Sequence, residues 1–406
     1  MISKIYNRDD LLQSLIQFKD TEFIKVITGV RRCGKSTLLL LYKNHLIQKG
    51  VTETQLIYLS FEDYNNKEFL KENNLYEYVK KQLVPSQKTY LLFDEIQLVS
   101  GWERVINSFR LNADIDITIT GSNAQMLSGQ LSTLLSGRYV EIKCYPFSFK
   151  EFIEVKNSNF DDYKKIPSLY KEYVRYGGFP AVVLADENLK ETILSGIIDT
   201  IILNDIGYRG ALREPELVDM VVTYLTDNIG NMVSSNNVAN TLNSNGYKIT
   251  QPTVGKYLEL FKDAFLFYPA KRYDVRGKEY LRGQAKYFII DLGLAHQILR
   301  KKTGNFGHEL ENLVYVELLR RGYTVDVARL DAFEIDFIAK KMNEMIYFQV
   351  ALELPENSKR ETDNLLKIPD NHKKMVITQK YEELPEIDGI PIYNIMDWLL
   401  NPSEKR

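Results

Sequence analysis

Gly29, Gly34, Lys35 and Ser36 stand in the spacing G-x-x-x-x-G-K-S inside the stretch VITGVRRCGKSTLLL. Two glycines at that separation allow a tight loop whose backbone N–H groups point inward at phosphate oxygens. Lys35 then brings a point charge to the terminal phosphates, and the Ser36 hydroxyl can ligate Mg²⁺. Gly29, Val30, Arg31, Arg32, Cys33, Gly34, Lys35, Ser36 and Thr37 therefore form a candidate nucleotide cradle. Arg31 and Arg32 exceed the bare motif; their charges would meet phosphate or a carboxylate of the chain such as Asp63. Farther on, Asp94 and Glu95 close the apolar run Thr89-Tyr90-Leu91-Leu92-Phe93. Acids at the carboxyl end of a buried parallel strand lie where open α/β sheets bind ligands. Asp94 would hold Mg²⁺, directly or through water, and Glu95 would polarise the attacking water.

Two further positions extend that chemistry. Ile115 to Thr120 reads as a strand that ends in Gly121-Ser122-Asn123, and Ser122 or Asn123 would reach the γ-phosphate and the lytic water. Asn123 also suits the N-cap of a helix from Ala124 to Ser136. Arg138 falls between that helix and a strand from Tyr139 to Lys143, a place from which a finger reaches a neighbouring subunit's nucleotide. An arginine exposed at a helix end is the plainer account.

These residues need a parallel sheet to hold them. Phe23 to Ile27 reads as a buried strand before the loop, and Thr37-Leu38-Leu39-Leu40-Leu41 opens a helix whose N-terminus faces the anion. With 406 residues, 44% of them hydrophobic and 26% charged, the chain has room for two or three domains. It carries no leader-like apolar core at its N-terminus and no run long enough to span a bilayer, so the expectation is a cytoplasmic protein without membrane contact. Two cysteines and four histidines make a disulfide framework or a Cys/His zinc cluster unlikely to arise. A net charge of −2 leaves nucleic-acid contact to a local patch.

The segments GVRRCGKST, LLFDEIQ, ITITGSN and SGRYVEIKCYPFSFKEF, followed by Gly177-Gly178-Phe179-Pro180 and Asn204-Asp205-Ile206, resemble AAA-type P-loop ATPases of bacteria and archaea that end in a domain of unknown function. The resemblance implies ATP and Mg²⁺ as ligands, ATP hydrolysis, and possible assembly into a homo-oligomer. Related switch-type ATPases touch adenine with a Gly-x-Pro turn of the lid, which makes Phe179 and Pro180 candidates.

From Ser148 to Asp205 apolar residues recur at helical spacing, as in a small lid. Beyond it, Ser234 or Ser235 caps one short helix, Asn245-Gly246 breaks the chain, and Thr250 with Pro252 starts another. Runs at Phe265 to Pro269, Glu279 to Leu281 and Tyr287 to Ile290 then look like the wing of a winged helix. Gln251, Thr253, Lys256 and Tyr257 would face the major groove of double-stranded DNA. Lys271, Arg272, Arg276, Lys278, Arg282 and Lys286 would give phosphate contacts. A lid or protein-contact module is the competing role.

The C-terminal part offers a third set. A helix over His308 to Arg321 precedes strands at Tyr323 to Ala328, Glu334 to Lys340 and Met345 to Glu353. The turn Lys341-Met342-Asn343-Glu344 makes the last two a hairpin in which Asp336 stands opposite Gln349. Alternation places Ile335, Phe337, Ala339, Ile346, Phe348, Val350 and Leu352 on an apolar face, with Glu334, Asp336, Lys340, Gln349 and Glu353 opposite. The order resembles the restriction-endonuclease-like fold, whose acids and lysine bind Mg²⁺ and activate water. Glu311, Asp336 and Gln349 occupy those metal positions, but Ala351 stands where the lysine belongs. Either the site has decayed or another base, such as Lys340, has taken over.

The expected architecture is therefore α/β: a P-loop ATPase domain over 1–147, a helical lid over 148–210, a winged helix over 211–295 and an endonuclease-like domain over 296–406. The expected activity is ATP hydrolysis coupled to DNA or to a protein partner. A nucleotide-dependent signalling switch without DNA contact and an ATP-regulated nuclease are the rival functions.

Overall fold

The computed structural model describes residues 6–112, 114–127, 137–156, 164–207, 215–277, 279–300, 306–331, 333–354 and 360–401. The chain divides into two units, Met1–Tyr145 with Asp263–Phe265, and Pro146–Lys262 with Leu266–Arg406.

In the first unit a five-stranded sheet runs in the order β2-β3-β4-β1-β5. Its strands are β1 (Ile24–Thr28), β2 (Leu56–Ser60), β3 (Thr89–Asp94), β4 (Ile115–Gly121) and β5 (Tyr139–Lys143). Every neighbouring pair is parallel. β1, β3 and β4 are buried along their whole length; β3 accordingly reads as a nearly unbroken apolar run up to Asp94, whereas β4, IDITITG, alternates in spite of its burial. Lys25 of β1 and Asp116 of β4 pair at 2.8 Å with both side chains fully enclosed. The strand expected at Ile115 to Thr120 is β4, which lies between β3 and β1. Because all five strands point the same way, Thr28 and Asp94 finish at one edge.

The second unit begins with helices Phe149–Val155, Ile166–Tyr176, Pro180–Val183 and Glu187–Thr200. Ser148 starts the first of them with a capping box, its hydroxyl taking the Glu151 N–H while Glu151 returns to the Ser148 N–H. Helices Pro215–Asp227, Ser235–Ser244 and Gln251–Asp263 follow, and Ser234 caps the middle one as expected.

A nine-stranded sheet completes the unit, in the order β13-β14-β12-β11-β10-β9-β7-β8-β6. The strands are β6 (Met232–Val233), β7 (Phe267–Asp274), β8 (Glu279–Ile289), β9 (Thr324–Leu330), β10 (Phe333–Lys341), β11 (Glu344–Ala351), β12 (Lys373–Thr378), β13 (Glu386–Ile387) and β14 (Ile390–Asn394). The runs expected at Glu279 to Leu281 and Tyr287 to Ile290 are one strand, β8, paired with β7 along its length. β7 in turn pairs in parallel with β9 through Arg272, Tyr273 and Asp274. The hairpin is thus built into the sheet, and the expected boundaries at 210/211 and 295/296 lie within one unit. Among the described residues no helix is long and apolar enough to cross a membrane.

The β10–β11 hairpin has the expected register, with Phe337 beside Phe348 and Lys341 beside Glu344. Its faces differ from simple alternation. A register shift against β9 between Ile335 and Ile338 puts both isoleucines into one cluster with Tyr347. Phe337 packs instead with Phe288 and Tyr315. One extra residue in a strand reverses everything beyond it, so Ile335 and Phe337 do not share a face.

Candidate functional site

The loop after β1 depends on its two glycines for different reasons. At Gly29 an added Cβ would lie 2.0 Å from the Cys144 carbonyl oxygen, so the chain can pass only without a side chain. Gly34 has φ 104°, a left-handed conformation, and immediately precedes the helix Lys35–Gln48. That helix N-terminus, with its unpaired N–H groups, opens at the carboxyl edge of the sheet.

Lys35 is buried at that point and donates to the Gly29 carbonyl at 3.1 Å and the Val30 carbonyl at 3.2 Å. Its ammonium also lies 3.6 Å from Glu95 Oε1. The Ser36 hydroxyl donates to Asp94 Oδ1 at 2.9 Å, and the Thr120 hydroxyl donates to the same oxygen at 2.7 Å. Thr120 Oγ1 in turn accepts from the Glu95 N–H at 2.9 Å, so β4 orients both acids. Glu95 sits at φ 54°, which turns the chain sharply as β3 ends. Its Oε2 accepts from the Ser122 hydroxyl at 3.1 Å and from Gln97 Nε2.

The two acids are driven apart electrostatically. Burial pushes the Asp94 carboxyl up, against the opposing hydrogen bonds from Thr120 and Ser36. Burial acts on Glu95 too, but the Lys35 ammonium, the Gln97 and Ser122 hydrogen bonds and the Arg31 charge outweigh it. Glu95 is therefore held below the usual carboxylate range, ionised and able to accept a proton or orient water.

Ser122 is the residue after β4 that reaches Glu95. Asn123 is buried beside it, and its backbone carbonyl accepts from the Met126 N–H at 3.2 Å. The helix expected from Ala124 is a 3-10 turn, Ala124–Leu127; its continuation lies outside the described residues. Arg31 pairs with Glu62 at 2.9 Å rather than with Asp63, which accepts from the Asn65 N–H. Arg32 is exposed, at φ 65°. Arg138 is exposed at the amino end of β5, where its carbonyl accepts from the Ile24 N–H, at the edge opposite the phosphate loop. It does not join Lys35 and Glu95 within this chain. Phe179 and Pro180 belong to the second unit, Phe179 with no exposed surface and Pro180 at the start of a short helix.

Sequence reasoning missed Thr120 and Arg8. Arg8 is buried and donates to the carbonyls of Cys33 and Tyr145 at 3.1 and 2.9 Å, bracing the loop from behind. Nothing local distinguishes it from any arginine near a terminus.

The residues fit a nucleotide with Mg²⁺. A hydroxyl and a carboxylate already touch at 2.9 Å, and a buried ammonium rests partly on carbonyls of its own loop. Among the described residues no group of three His, Cys, Asp or Glu would hold a metal unaided.

The C-terminal candidates meet a different neighbour. Lys286, assigned by its sequence to a basic wing, is buried in β8 and pairs with Glu334 at 2.8 Å and Glu311 at 3.3 Å. Burial alone would lower its pKa, but the charges of Glu311, Asp336 and Glu334 raise it. Glu311 also lies 3.5 Å from His308 Nδ1. Asp336 Oδ2 accepts from the Val350 N–H at 2.8 Å. Gln349 is buried, and its Oε1 has no hydrogen-bond partner among the described residues. Lys340 does not join the acids: its ammonium stands 3.5 Å over the Tyr273 ring, on the side of Tyr280.

The remaining wing and recognition residues divide similarly. Arg276 pairs with Asp331 at 2.9 Å, and Arg272 is half-buried. Lys278 and the side chain of Arg282 lie outside the described residues. Tyr257 is buried, so it cannot face a groove, whereas Gln251 and Lys256 are exposed.

The glycines of Gly177-Gly178-Phe179-Pro180 have a packing cause. Asp291, fully buried, accepts from the Gly178 N–H at 2.7 Å and the Gly293 N–H at 2.9 Å. A Cβ on Gly177 would fall 1.8 Å from the Asp291 carboxylate, and one on Gly178 2.2 Å from the Phe147 carbonyl. Burial drives the Asp291 pKa up to about 6 in spite of those donors.

Residues 21–153 match the family described as an AAA domain, and residues 167–305 match a domain of unknown function. A Haemophilus influenzae protein described as uncharacterised is 52% identical over 402 residues, 98% of this chain and 100% of the relative. A Methanocaldococcus jannaschii protein, also described as uncharacterised, is 33% identical over 88% of this chain and 80% of its own length. Among solved structures, a Walker-type ATPase of Pyrococcus abyssi aligns at 16% identity and a TM-score of 0.47, over 74% of this chain and 97% of its own.

Proposed function

Since the chain belongs to the family of these Haemophilus influenzae and Methanocaldococcus jannaschii proteins and carries an AAA domain, we propose that it binds ATP with Mg²⁺ and hydrolyses it. One observation carries the reading: Lys35, Ser36, Asp94, Thr120 and Glu95 converge at the carboxyl edge of one parallel sheet, each held by a named partner. Lys35 exchanges its loop carbonyls for phosphate oxygens and offsets charge on the leaving group. Ser36 and Asp94 hold Mg²⁺, which supplies Lewis-acid neutralisation of the phosphates. Glu95, ionised and steered by Ser122 and Gln97, orients the attacking water. Asn123 would act from the same β4 edge, and Phe179 and Pro180 would touch adenine. Arg138 acts only on the nucleotide of a neighbouring copy. Steady-state ATP turnover and binding in Lys35→Ala and Glu95→Gln test the core of this. Lys35→Ala should lose binding, Glu95→Gln should bind without turning over, and full turnover in both would sink the reading.

The second unit supplies the output. The order of β6, two short helices and the β7–β8 hairpin supports a winged helix over 211–295. The order of a helix, three antiparallel strands, a helix and β12 supports an endonuclease-like fold over 296–406. Of the wing's basic residues, Arg272 and Lys286 are drawn into the sheet, and Arg276 and Lys286 into ion pairs. That favours coupling to a protein partner over coupling to duplex DNA. Lys286 among the acids favours a domain that does not cut. Mg²⁺-dependent turnover measured with and without duplex DNA at low salt separates the two: strong stimulation would restore DNA as the coupled ligand.

A further inference from the structure

The chain has two cysteines in 406 residues, 111 positions apart, and the fold brings both to the base of the phosphate loop. Cys33 is the residue before Gly34. Cys144 follows β5, where its N–H donates to the Thr28 carbonyl at 2.7 Å, the last residue of β1. The Cys144 sulfur lies 3.7 Å from the Cys33 carbonyl oxygen. A Cβ placed on Gly29 would stand 3.1 Å from the Cys33 sulfur and 2.0 Å from the Cys144 carbonyl, so one point of the loop touches both residues. Both are in the thiol form, outside any disulfide, and buried.

Their surroundings are unequal. Arg8 Nη1 donates to the Cys144 sulfur at 3.2 Å while also holding the Cys33 carbonyl. The guanidinium stands where it would stabilise a thiolate formed at Cys144, the form that reacts with peroxides. Burial and contact with Cys144 push the Cys33 thiol well up, so Cys33 keeps its proton. The pair has the division of labour of an attacking and a resolving cysteine.

We propose that Cys33 and Cys144 are a modification site: a hydroperoxide oxidises them to a reversible disulfide, and that bridge and bound nucleotide exclude each other. The Cys144 thiolate attacks the distal peroxide oxygen, giving a sulfenic acid and releasing hydroxide, which takes up a proton as water. The Cys33 sulfur then attacks the Cys144 sulfur, loses its proton, and expels a second water. Two thiols and one hydrogen peroxide become one disulfide and two waters. Drawing the sulfurs to about 2.05 Å pulls Cys33, and Gly34 after it, toward the end of β5. The N–H groups that cradle phosphate move with them. Because both sulfurs are enclosed, oxidation requires the loop to open, and a nucleotide that fastens the loop slows it.

The nucleotide half of this rests on the proposed ATP site, so the test reads the two separately. Reduced full-length protein is treated with hydrogen peroxide, and the bridge is mapped by intact mass and by the Cys33–Cys144 linked peptide. Binding of a fluorescent ATP analogue with Mg²⁺ is measured before, after, and after dithiothreitol. The bridge should form, weaken binding about tenfold or more, and release its effect on reduction. Cys144→Ala should keep its affinity through the same treatment, and saturating ATP should slow bridging in the wild type by a similar factor. Failure to bridge, a bridge with unchanged affinity, or equal loss in Cys144→Ala would each overturn the proposal. If reduced protein bound no analogue, the ATP reading and the exclusion would both fall, while the mapped bridge would stand or fall by itself.

Discussion

Lys35 in the first unit and Lys286 in the second are both buried against carboxylates, and their partners set them apart. Lys35 leans on the carbonyls of its own loop and stands 3.6 Å from Glu95. Main-chain carbonyls six and five residues away are weak competitors for an ammonium once phosphate arrives. Lys286 makes two ion pairs, at 2.8 and 3.3 Å, with acids contributed by β10 and by the helix Phe306–Arg320. Its charge is already spent on fixed groups from two other elements. The first arrangement is poised for a ligand, and the second is closed. Buried charge becomes functional when its partners are replaceable, and structural when they are not.

The largest effect that would sharpen this contrast is on turnover. Lys35→Ala should reduce ATP turnover by about 10²-fold or more, as for removal of a preorganised charge from a transition state. Its thermal midpoint should fall less than that of Lys286→Met, because the pair it loses, to Glu95 at 3.6 Å, is longer than either pair at Lys286. Lys286→Met should do the reverse. Removing one partner of a buried pair costs about 3–5 kcal/mol, and the lower end applies because Glu334 is 39% exposed and can rehydrate. Denaturant unfolding should show that loss, with turnover per folded molecule unchanged. If Lys286→Met kept its stability but lost an Mg²⁺-dependent nuclease activity of the wild type, the comparison would break and Lys286 would be a catalytic base.

A mid-sized effect belongs to Asp291, and its sign follows from linkage. The folded carboxyl titrates near 6, above the ordinary 3.8, because burial penalises its charge. It binds its proton more tightly in the folded state. Stability should therefore fall as pH rises from about 4 to about 6, by an amount on the order of 3 kcal/mol. His296, whose pKa is raised by its hydrogen bond to Glu309 against the effect of burial, adds in the same direction at slightly higher pH. Asp291→Asn should flatten the profile between pH 4 and 6 and leave the His296 part. A profile in the variant identical to the wild type would assign that pH dependence elsewhere.

What could be read from the sequence follows the same division. Lys35, Ser36, Asp94 and Glu95 were legible because a short motif and a strand end carry them, and the strands bounding them fell within a residue of the expected limits. Lys286, Arg8 and Asp291 were not, because each takes at least one partner from a segment far along the chain. Lys286 looked like wing charge since its neighbours in sequence are basic, whereas its neighbours in space are acids. The β10 faces were misjudged because an irregularity at Ile335 to Ile338 leaves no trace in composition. Ser122 and Asn123 were adjacent candidates, and only geometry puts a hydroxyl on Glu95.

The smallest expected effect tests whether the β7–β8 hairpin takes part in nucleic-acid contact. β7 is paired on both sides, with β8 and with β9, so the proposed wing is joined to the sheet through Arg272, Tyr273 and Asp274. Arg276 is 70% exposed but already paired with Asp331. An exposed pair of that kind contributes about 0.2–1 kcal/mol and frees its arginine readily. Arg276→Ala should therefore change duplex-dependent ATP turnover by less than about twofold, and the slope of any DNA affinity against salt by less than one counterion. A larger change in slope would mean that Arg276 leaves Asp331 for phosphate. The wing would then be a second place where, as at Lys35, the resting partner is a stand-in for the ligand.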